Sequence, residues 1–313
     1  MILQYLGSLD PFTLVRALPG NVAQGLIWGI MALGVYITFR ILDFADMTVD
    51  GTLATGGAVT VMLIQGGMNP ALALVFATLA GMLAGLVTGL LHTKLGIPGI
   101  LAGILTQISL YSINLRIMGK ANQSIGLGTQ NLVASMRYIT ASNSIFFFLK
   151  LIVICIAIVL VIYWFFGSEI GCAIRATGCN PQMARAQGFN TDFTKVLALM
   201  MGNALVGLCG GLYAQYQGAA DVNSGRGAIV IGLAAVIISE VLFSKLCAKS
   251  QHAFAMTLMA IFVGAILYYI VYTIVLWLKM PSDYMKLFSA VVVAVFLAIP
   301  YLRANALAKR RAD

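Results

Sequence analysis

The chain has 313 residues, with 19 Lys and Arg against 10 Asp and Glu, a formal net charge of +9, and 61% hydrophobic against 9% charged residues. So few charges cannot cover a water-facing surface, which excludes a soluble globular protein. The positive balance belongs to membrane topology rather than to nucleic-acid binding.

The first twenty residues, "MILQYLGSLDPFTLVRALPG", carry an aspartate and two prolines, with neither a basic opening nor a small-residue cleavage site. They predict a short interfacial segment over 1–20 instead of a secretory signal. Apolar runs of membrane-crossing length follow near 21–39, 48–65, 71–91, 97–118, 145–166, 194–216, 226–243, 252–278 and 284–301. A hydrocarbon core needs roughly 20 apolar residues per helix, and runs this long exceed barrel strands. The expected fold class is an all-α polytopic membrane protein of about eight to ten transmembrane helices. The membrane domain covers 21–301, and a basic tail occupies 302–313.

Between the first and second runs, Asp43, Asp46 and Asp50 stand at i, i+3 and i+7. One continuous helix would stack the three carboxylates on a single face, a geometry able to bind a cation or carry protons. The "DG" at 50–51 suggests instead a helix break, with the acids capping the helix start or meeting Arg40. In the third run Gly81, Gly85 and Gly89 recur at four-residue spacing, so a neighbouring backbone can approach closely. That neighbour is either another helix of the chain or a second copy. The fourth run carries Thr106, Gln107, Ser109, Ser112, Asn114 and Arg116. Gly103, Gln107, Leu110 and Asn114 follow one helix face with Thr106 beside it. These side chains either wall a path for a polar solute or hold buried helices together.

The segment 167–193 is polar and lies between two strongly apolar runs. Asn180 followed by Pro181 is a helix cap with proline at the first helical position. Good helix formers continue to Gln187, and Gly188 supplies a left-handed stop with Phe189 behind it. Thr191 and Asp192 then open the next span. The order is helix, sharp stop, new helix over 181–193, on a segment that would otherwise be a connector.

The five cysteines form no CxxC pattern, so free thiols are expected, and neither His92 nor His252 has a partner at metal-binding spacing. No GxxxxGK[ST] and no GxSxG is present, so this chain neither uses ATP itself nor carries a serine-hydrolase site. No enzymatic activity, cofactor or metal is expected. Placing the capped segment in the cytosol puts 11 of the 19 basic residues on that side and 8 on the other. The N-terminus is then outside and the C-terminus cytosolic.

The stretch "GSEIGCAIRATGCNPQMARAQGFNTDFTKVLALMMGNALVGLCGGLYA" resembles the cytosolic coupling segment of permeases in ATP-binding-cassette importers, of the branched-chain amino-acid and ribose type. Arg175, Asn180, Pro181, Ala184, Arg185 and Gly188 match that family's pattern, while Cys172 stands where arginine is common. A second stretch, "ILDFADMTVDGTLATGGAV" at 41–59, is similar to one subgroup of these permeases associated with amino acids, including aromatic ones. "GIPGILAGILTQISLYSINLRIMG" and "GLAAVIISEVLFS" extend the resemblance over most of the chain.

The resemblance implies a permease in a bacterial plasma or inner membrane. Its partners would be cytosolic ATPase subunits, an extracytoplasmic solute-binding protein or lipoprotein, and a second permease, identical or not, within membrane lipid. Arg175, Asn180, Pro181, Met183, Ala184, Arg185, Gly188 and Phe189 would couple to the ATPase. Asp50, Thr106, Gln107, Ser109 and Asn114 would form the path, for an amino acid with nucleosides or sugars as alternatives. An ion-coupled secondary transporter using Asp43, Asp46 and Asp50 is the competing class.

Overall fold

The computed structural model describes residues 11–126, 132–136, 144–248 and 253–277, with isolated positions between 287 and 298. The expected ninth span, the tail 302–313 and residues 1–10 fall wholly or mostly outside them. Helix α1 runs Pro11–Val35 and continues through a π-helical turn, Tyr36–Ile41. Helix α2 is Thr48–Gln65, α3 Pro70–Thr93 and α4 Gly99–Met118. A short strand β1, Asn122–Ser124, precedes α5, Ser144–Phe166. Helices α6 (Glu169–Cys179) and α7 (Pro181–Ala186) lead to α8, Thr191–Gln217. Strand β2 (Ala219–Asp221), α9 (Ala228–Ala248) and α10 (Ala253–Trp277) complete the order.

Six of these helices are long and apolar enough to cross a membrane, and Ala228–Phe243 adds a shorter apolar stretch. The chain is therefore an all-α, multi-pass membrane protein. Helix α1 already begins at Pro11. Residues 11–20 are thus helical and continuous with the first span, whose apolar stretch begins at Ala17. Pro11 sits at a helix start, where its missing N–H costs nothing, and Pro19 is accommodated within the helix.

Helices α3 and α8 pack through their backbones. A Cβ on Gly81 would strike the Asn203 carbonyl, and one on Gly85 the Leu199 carbonyl. The glycine stripe of α3 is thus spent on a contact within the chain. Helix α8 also meets α1 and α2 along its length.

The chain ends fall into two groups. Strands β1 and β2 pair antiparallel, Asn122 opposite Asp221, which joins the ends of α4 and α8. At the other pole Arg40 pairs with Glu240 at 2.8 Å, and Lys195 Nζ lies 3.3 Å from His92 Nε2. These contacts agree with successive spans that alternate in direction.

Helix α2 does not start at that second pole. Thr52 Oγ1 donates to Asn203 Oδ1 at 2.7 Å. Asn203 lies 12 residues into α8, or about 18 Å along a helix of about 40 Å. The backbone 42–47 therefore dips into the interior in non-helical form, which lipid forbids unless protein covers it. Leu42, Phe44 and Asp46 are buried, and Asp43 sits in the left-handed region at φ 57°.

Candidate functional site

The dipping segment and the helix start beside it are held through Asp46, Asp50 and Asn203 of α8. Asp46 Oδ1 accepts the Thr48 N–H at 2.9 Å, and its Oδ2 accepts Asn203 Nδ2 at 2.6 Å. Asp46 thus caps α2, which begins two residues before the Asp50–Gly51 pair where the sequence suggested a break. Asp50, in the first turn, accepts the N–H of Gly227 at 2.8 Å and of Ile229 at 3.0 Å. One side chain on α2 therefore caps the start of α9, so two helix N-termini meet about halfway through the bundle.

This geometry disposes of a shared face for the three carboxylates. Asp43 is exposed on irregular backbone, Asp46 is buried against α8, and Asp50 is turned to α9. Arg40 is taken by Glu240, not by any of them. Among the described residues no cluster of three His, Cys, Asp or Glu could hold a metal ion.

A cavity of about 260 Å³ opens beside the two helix starts, lined by Asp50, Gln107, Tyr111, Asn114, Val222 and Arg226 among others. Asn114 is fully buried, and neither its amide nitrogen nor its amide oxygen has a hydrogen-bond partner. An unpaired amide in an apolar bundle costs on the order of 1–3 kcal/mol, so its presence calls for a ligand or another reason. Three residues expected on the path, Asp50, Gln107 and Asn114, are brought together here.

Thr106 and Ser109 lie elsewhere. The Thr106 hydroxyl ends a buried chain in which Thr88 Oγ1 lies 2.7 Å from Thr48 and 2.9 Å from Thr106. It ties α2, α3 and α4 together. Ser109 is exposed on the outer face of α4 and donates back to the Leu105 carbonyl. The helical periodicity was right, but the packed face and the cavity face of α4 adjoin within one turn.

The capped turn is built at both ends. Asn180 Oδ1 accepts the N–H groups of Gln182 and Met183, each at 3.0 Å, with Pro181 at the first position. The helix stops at Ala186. Gly188 has φ 90°, its N–H donates to Arg185, and that of Phe189 donates to Ala184. That double bond pattern closes the helix in a Schellman motif. Asn190 caps α8 in turn, accepting from Asp192 and Phe193. Met183 is 61% and Phe189 40% exposed, while Ala184 is buried.

Two arginines tie this segment to the spans, Arg175 partly buried and Arg185 at the surface. Arg175 sits over the Phe166 and Phe254 rings, 5.5 and 4.2 Å from their centroids. Arg185 bonds Thr191 Oγ1 at 2.5 Å and pairs with Asp192 at 2.9 Å. They anchor the turn to α5, α10 and α8 and so rigidify it. Helix α6, inside the expected coupling segment 167–193, supplies the platform. Ser168 caps it, Ile174 is fully buried, and Gly178 lies against the Ile41 carbonyl. Its mix of small and polar residues concealed a buried stripe of Gly171, Ala173, Ile174 and Thr177.

Sequence reading also missed a second cavity of about 340 Å³. Its lining includes Trp28, Tyr213, Arg226, Tyr268, Tyr269 and Tyr272. The residues come from α1, α8, α9 and α10, and only the scatter of aromatics in three of these spans hinted at them. Arg226 borders both cavities.

The family described as "Branched-chain amino acid transport system / permease component" matches residues 20–299. The tyrosine transport system permease protein of Clostridioides difficile (strain R20291) is 39% identical, over 88% of this chain and 89% of its own length. An uncharacterized protein of Rickettsia prowazekii (strain Madrid E) is 32% identical, over 88% of this chain and 94% of its own length. The autoinducer 2 import system permease protein of Yersinia pseudotuberculosis (serotype O:1b, strain IP 31758) is 29% identical, over 75% and 63%. No solved structure matches the chain.

Proposed function

This chain belongs to the permease component family of branched-chain amino acid transport systems, and from that premise we propose that it is the membrane-spanning subunit of an ATP-driven amino-acid importer. Transport permeases of this family are not enzymes. A separate cytosolic ATPase supplies the energy, and an extracytoplasmic binding protein delivers the solute. The tyrosine permease at 39% identity supports an amino acid over a sugar.

The observation that carries the reading is the turn Asn180–Asn190. Both ends of α7 are closed by side-chain or glycine caps, and its base is held by Arg175 and Arg185. Yet it presents two bare apolar side chains, Met183 and Phe189. A six-residue helix does not survive in water without such support. A rigid platform with exposed apolar knobs suits a groove on a partner, here the ATPase. With that end in the cytosol, the N-terminus lies outside and the C-terminus inside the cell.

Two copies of the chain would face each other to give two docking turns for two ATPases. The outer face of α4, with Ile108, Ser109 and Tyr111 exposed beside the polar cavity, is our candidate for that meeting. Co-purification of the chain with its ATPase, followed by solute-stimulated ATP hydrolysis, tests the proposal. An ATPase that neither binds nor responds to any amino acid in the presence of the chain overturns it.

A further inference from the structure

The segment 42–47, where the chain leaves α1 and enters α2 inside the bundle, alternates in burial. Leu42, Phe44 and Asp46 are buried while Asp43 is exposed. An exposed carboxylate in a membrane-embedded segment is tolerated where water meets it. Phe44, one position on, turns the other way into a fitted slot. A Cβ on Gly99 would lie 2.5 Å from its Cε2, so the ring fills the room that the missing side chain leaves at the start of α4. The ring stands edge-on to His92 at the end of α3, with centroids 5.2 Å apart. His92 Nδ1 in turn lies 2.9 Å from the Ile97 carbonyl, which fixes the α3–α4 corner around the ring.

One face of α4 changes character along its length. Gly99 is covered by Phe44, and Gly103 by the backbone of Met47, whose nitrogen would lie 2.8 Å from a Cβ there. One turn further on, Gln107 borders the cavity of about 260 Å³. The same face is therefore covered at the pole of α6 and α7 and open towards the β1–β2 ribbon. Helix α6 touches the head of the covering segment, because a Cβ on Gly178 would strike the Ile41 carbonyl and lie 3.0 Å from Leu42 Cα. Just upstream the chain bends through the π-helical turn Tyr36–Ile41, whose Ile37 and Thr38 carbonyls accept the N–H groups of Leu42 and Phe44. Such turns concentrate at functional sites.

We propose that Phe44 is a gate: its ring, seated on Gly99, separates the cavity beside Asp50 and Gln107 from water at the α6–α7 pole, and α6 sets its position through Gly178 and Ile41. Water reaches Asp43 and stops at Phe44. The plug is one aromatic ring on irregular backbone, so it withdraws without unwinding a span. Its two neighbours in the segment are anchored differently. Asp46 is fixed to Asn203 by a charge-assisted hydrogen bond, whereas the Phe44 side chain rests on apolar and ring contacts. Displacing α6 therefore swings the ring about a fixed Asp46. The inference rests on the importer reading for what displaces α6, but closure by Phe44 is a property of the chain alone.

The test reads water access with a membrane-impermeant thiol reagent on the full chain, in right-side-out and inside-out membrane vesicles. The five cysteines are replaced by alanine, and Gln107→Cys reports on the cavity. A second variant that keeps Cys172, exposed on α6, identifies the face carrying this pole. From that face Gln107→Cys should react slowly. Phe44→Ala should speed its labelling at least about tenfold, since a gate open about 10% of the time or less gains that factor when removed. The rate from the opposite face should not change. Gly99→Ala, whose methyl displaces the ring, and Gly178→Ala, which pushes on Ile41, should raise the rate in the same one-sided way. Gly99→Ala decides the matter where Phe44→Ala fails to reach the membrane. An unchanged rate in these ring variants, a rise from both faces alike, or a parent labelled equally fast from both faces overturns the gate. An unchanged rate in Gly178→Ala alone overturns the part assigned to α6. A chain that opens on Phe44→Ala but recruits no ATPase defeats the importer reading alone. One that drives amino-acid-stimulated ATP hydrolysis while the ring variants stay closed defeats the gate alone.

Discussion

Asp46 and Asn203, 157 positions apart, are joined by a 2.6 Å hydrogen bond at the point where the chain leaves α1 and starts α2 in the middle of the bundle. The Asn203 amide also accepts from Thr52 and donates to Leu199, so it is fully engaged. Asn203→Leu should destabilise the protein by about 2–4 kcal/mol, because it strands a buried carboxylate and a hydroxyl together. Asp46→Asn keeps the shape and the bond to the Thr48 N–H and should cost less than half of that. Thermal unfolding in detergent, read by intrinsic fluorescence, orders the two variants. The reverse order would mean that the tie contributes little.

Asn114 offers a sharper separation of stability from function. Its amide is buried with neither atom bonded. Asn114→Leu should therefore leave the melting temperature unchanged or raise it, by up to about 1 kcal/mol in stability. Solute uptake should nonetheless fall at least about tenfold, a loss equivalent to about 1.4 kcal/mol. A variant that is both stable and fully active would show that Asn114 only fills space.

The capped turn, proposed to dock the ATPase, gives a third expectation. Nothing lies within 4 Å of a Cβ placed on Gly188, so a substitution there is opposed by its φ of 90° alone. Gly188→Val should cost about 1–2 kcal/mol locally. That is enough to fray α7 and displace Phe189, but not to disturb spans packed in lipid. Membrane levels should stay normal while ATPase association weakens and transport is lost. Gly188→Asn, which tolerates the left-handed region, should retain much of the activity. Pull-down of the ATPase beside uptake measurements distinguishes these outcomes.

Gly85 behaves in the opposite way. Its neighbour is backbone, the Leu199 carbonyl and Met200 Cα, which cannot move aside as a side chain can. Gly85→Leu should separate α3 from α8 at a cost of about 3 kcal/mol or more. Little monodisperse protein should survive extraction, as size-exclusion chromatography would report. Gly126→Ala, which meets nothing within 4 Å, serves as the control.

The long apolar runs told their own story, because lipid leaves a chain almost no alternative to helices. The second run began and ended at the residues expected, Thr48 and Gln65. The caps at Asn180 and the stop at Gly188 were equally legible, since each depends on neighbours two or three positions away. What stayed hidden depends on distant partners. Nothing local distinguishes Thr106, bonded across to Thr88, from Gln107, one position on and lining a cavity. Arg226 read as a topological marker because its environment is assembled from α2, α4 and α9. Arg175 was expected to couple to the ATPase, and nothing local showed that Phe254, 79 positions away, supplies the ring beneath it.

Helix α8 carries four glycines in its middle, Gly202, Gly207, Gly210 and Gly211, a composition that would make a free helix pliant. Each of them is pressed by another element: Gly202 by Gly34 and Thr38, Gly207 by Ala77 and Gly81, Gly210 by Leu53, and Gly211 by Thr60 and Leu74. The pliancy is cancelled by clamping, and the helix behaves as a stiff rod gripped along its length. One end of that rod is the capped turn at Asn190, and near the other Tyr213 stands in the aromatic cavity. A tilt applied to the turn has no joint in which to dissipate. It must reappear at Tyr213, about 33 Å further along. Under the proposed function, force at the partner's surface and the width of the aromatic cavity are two readings of one angle.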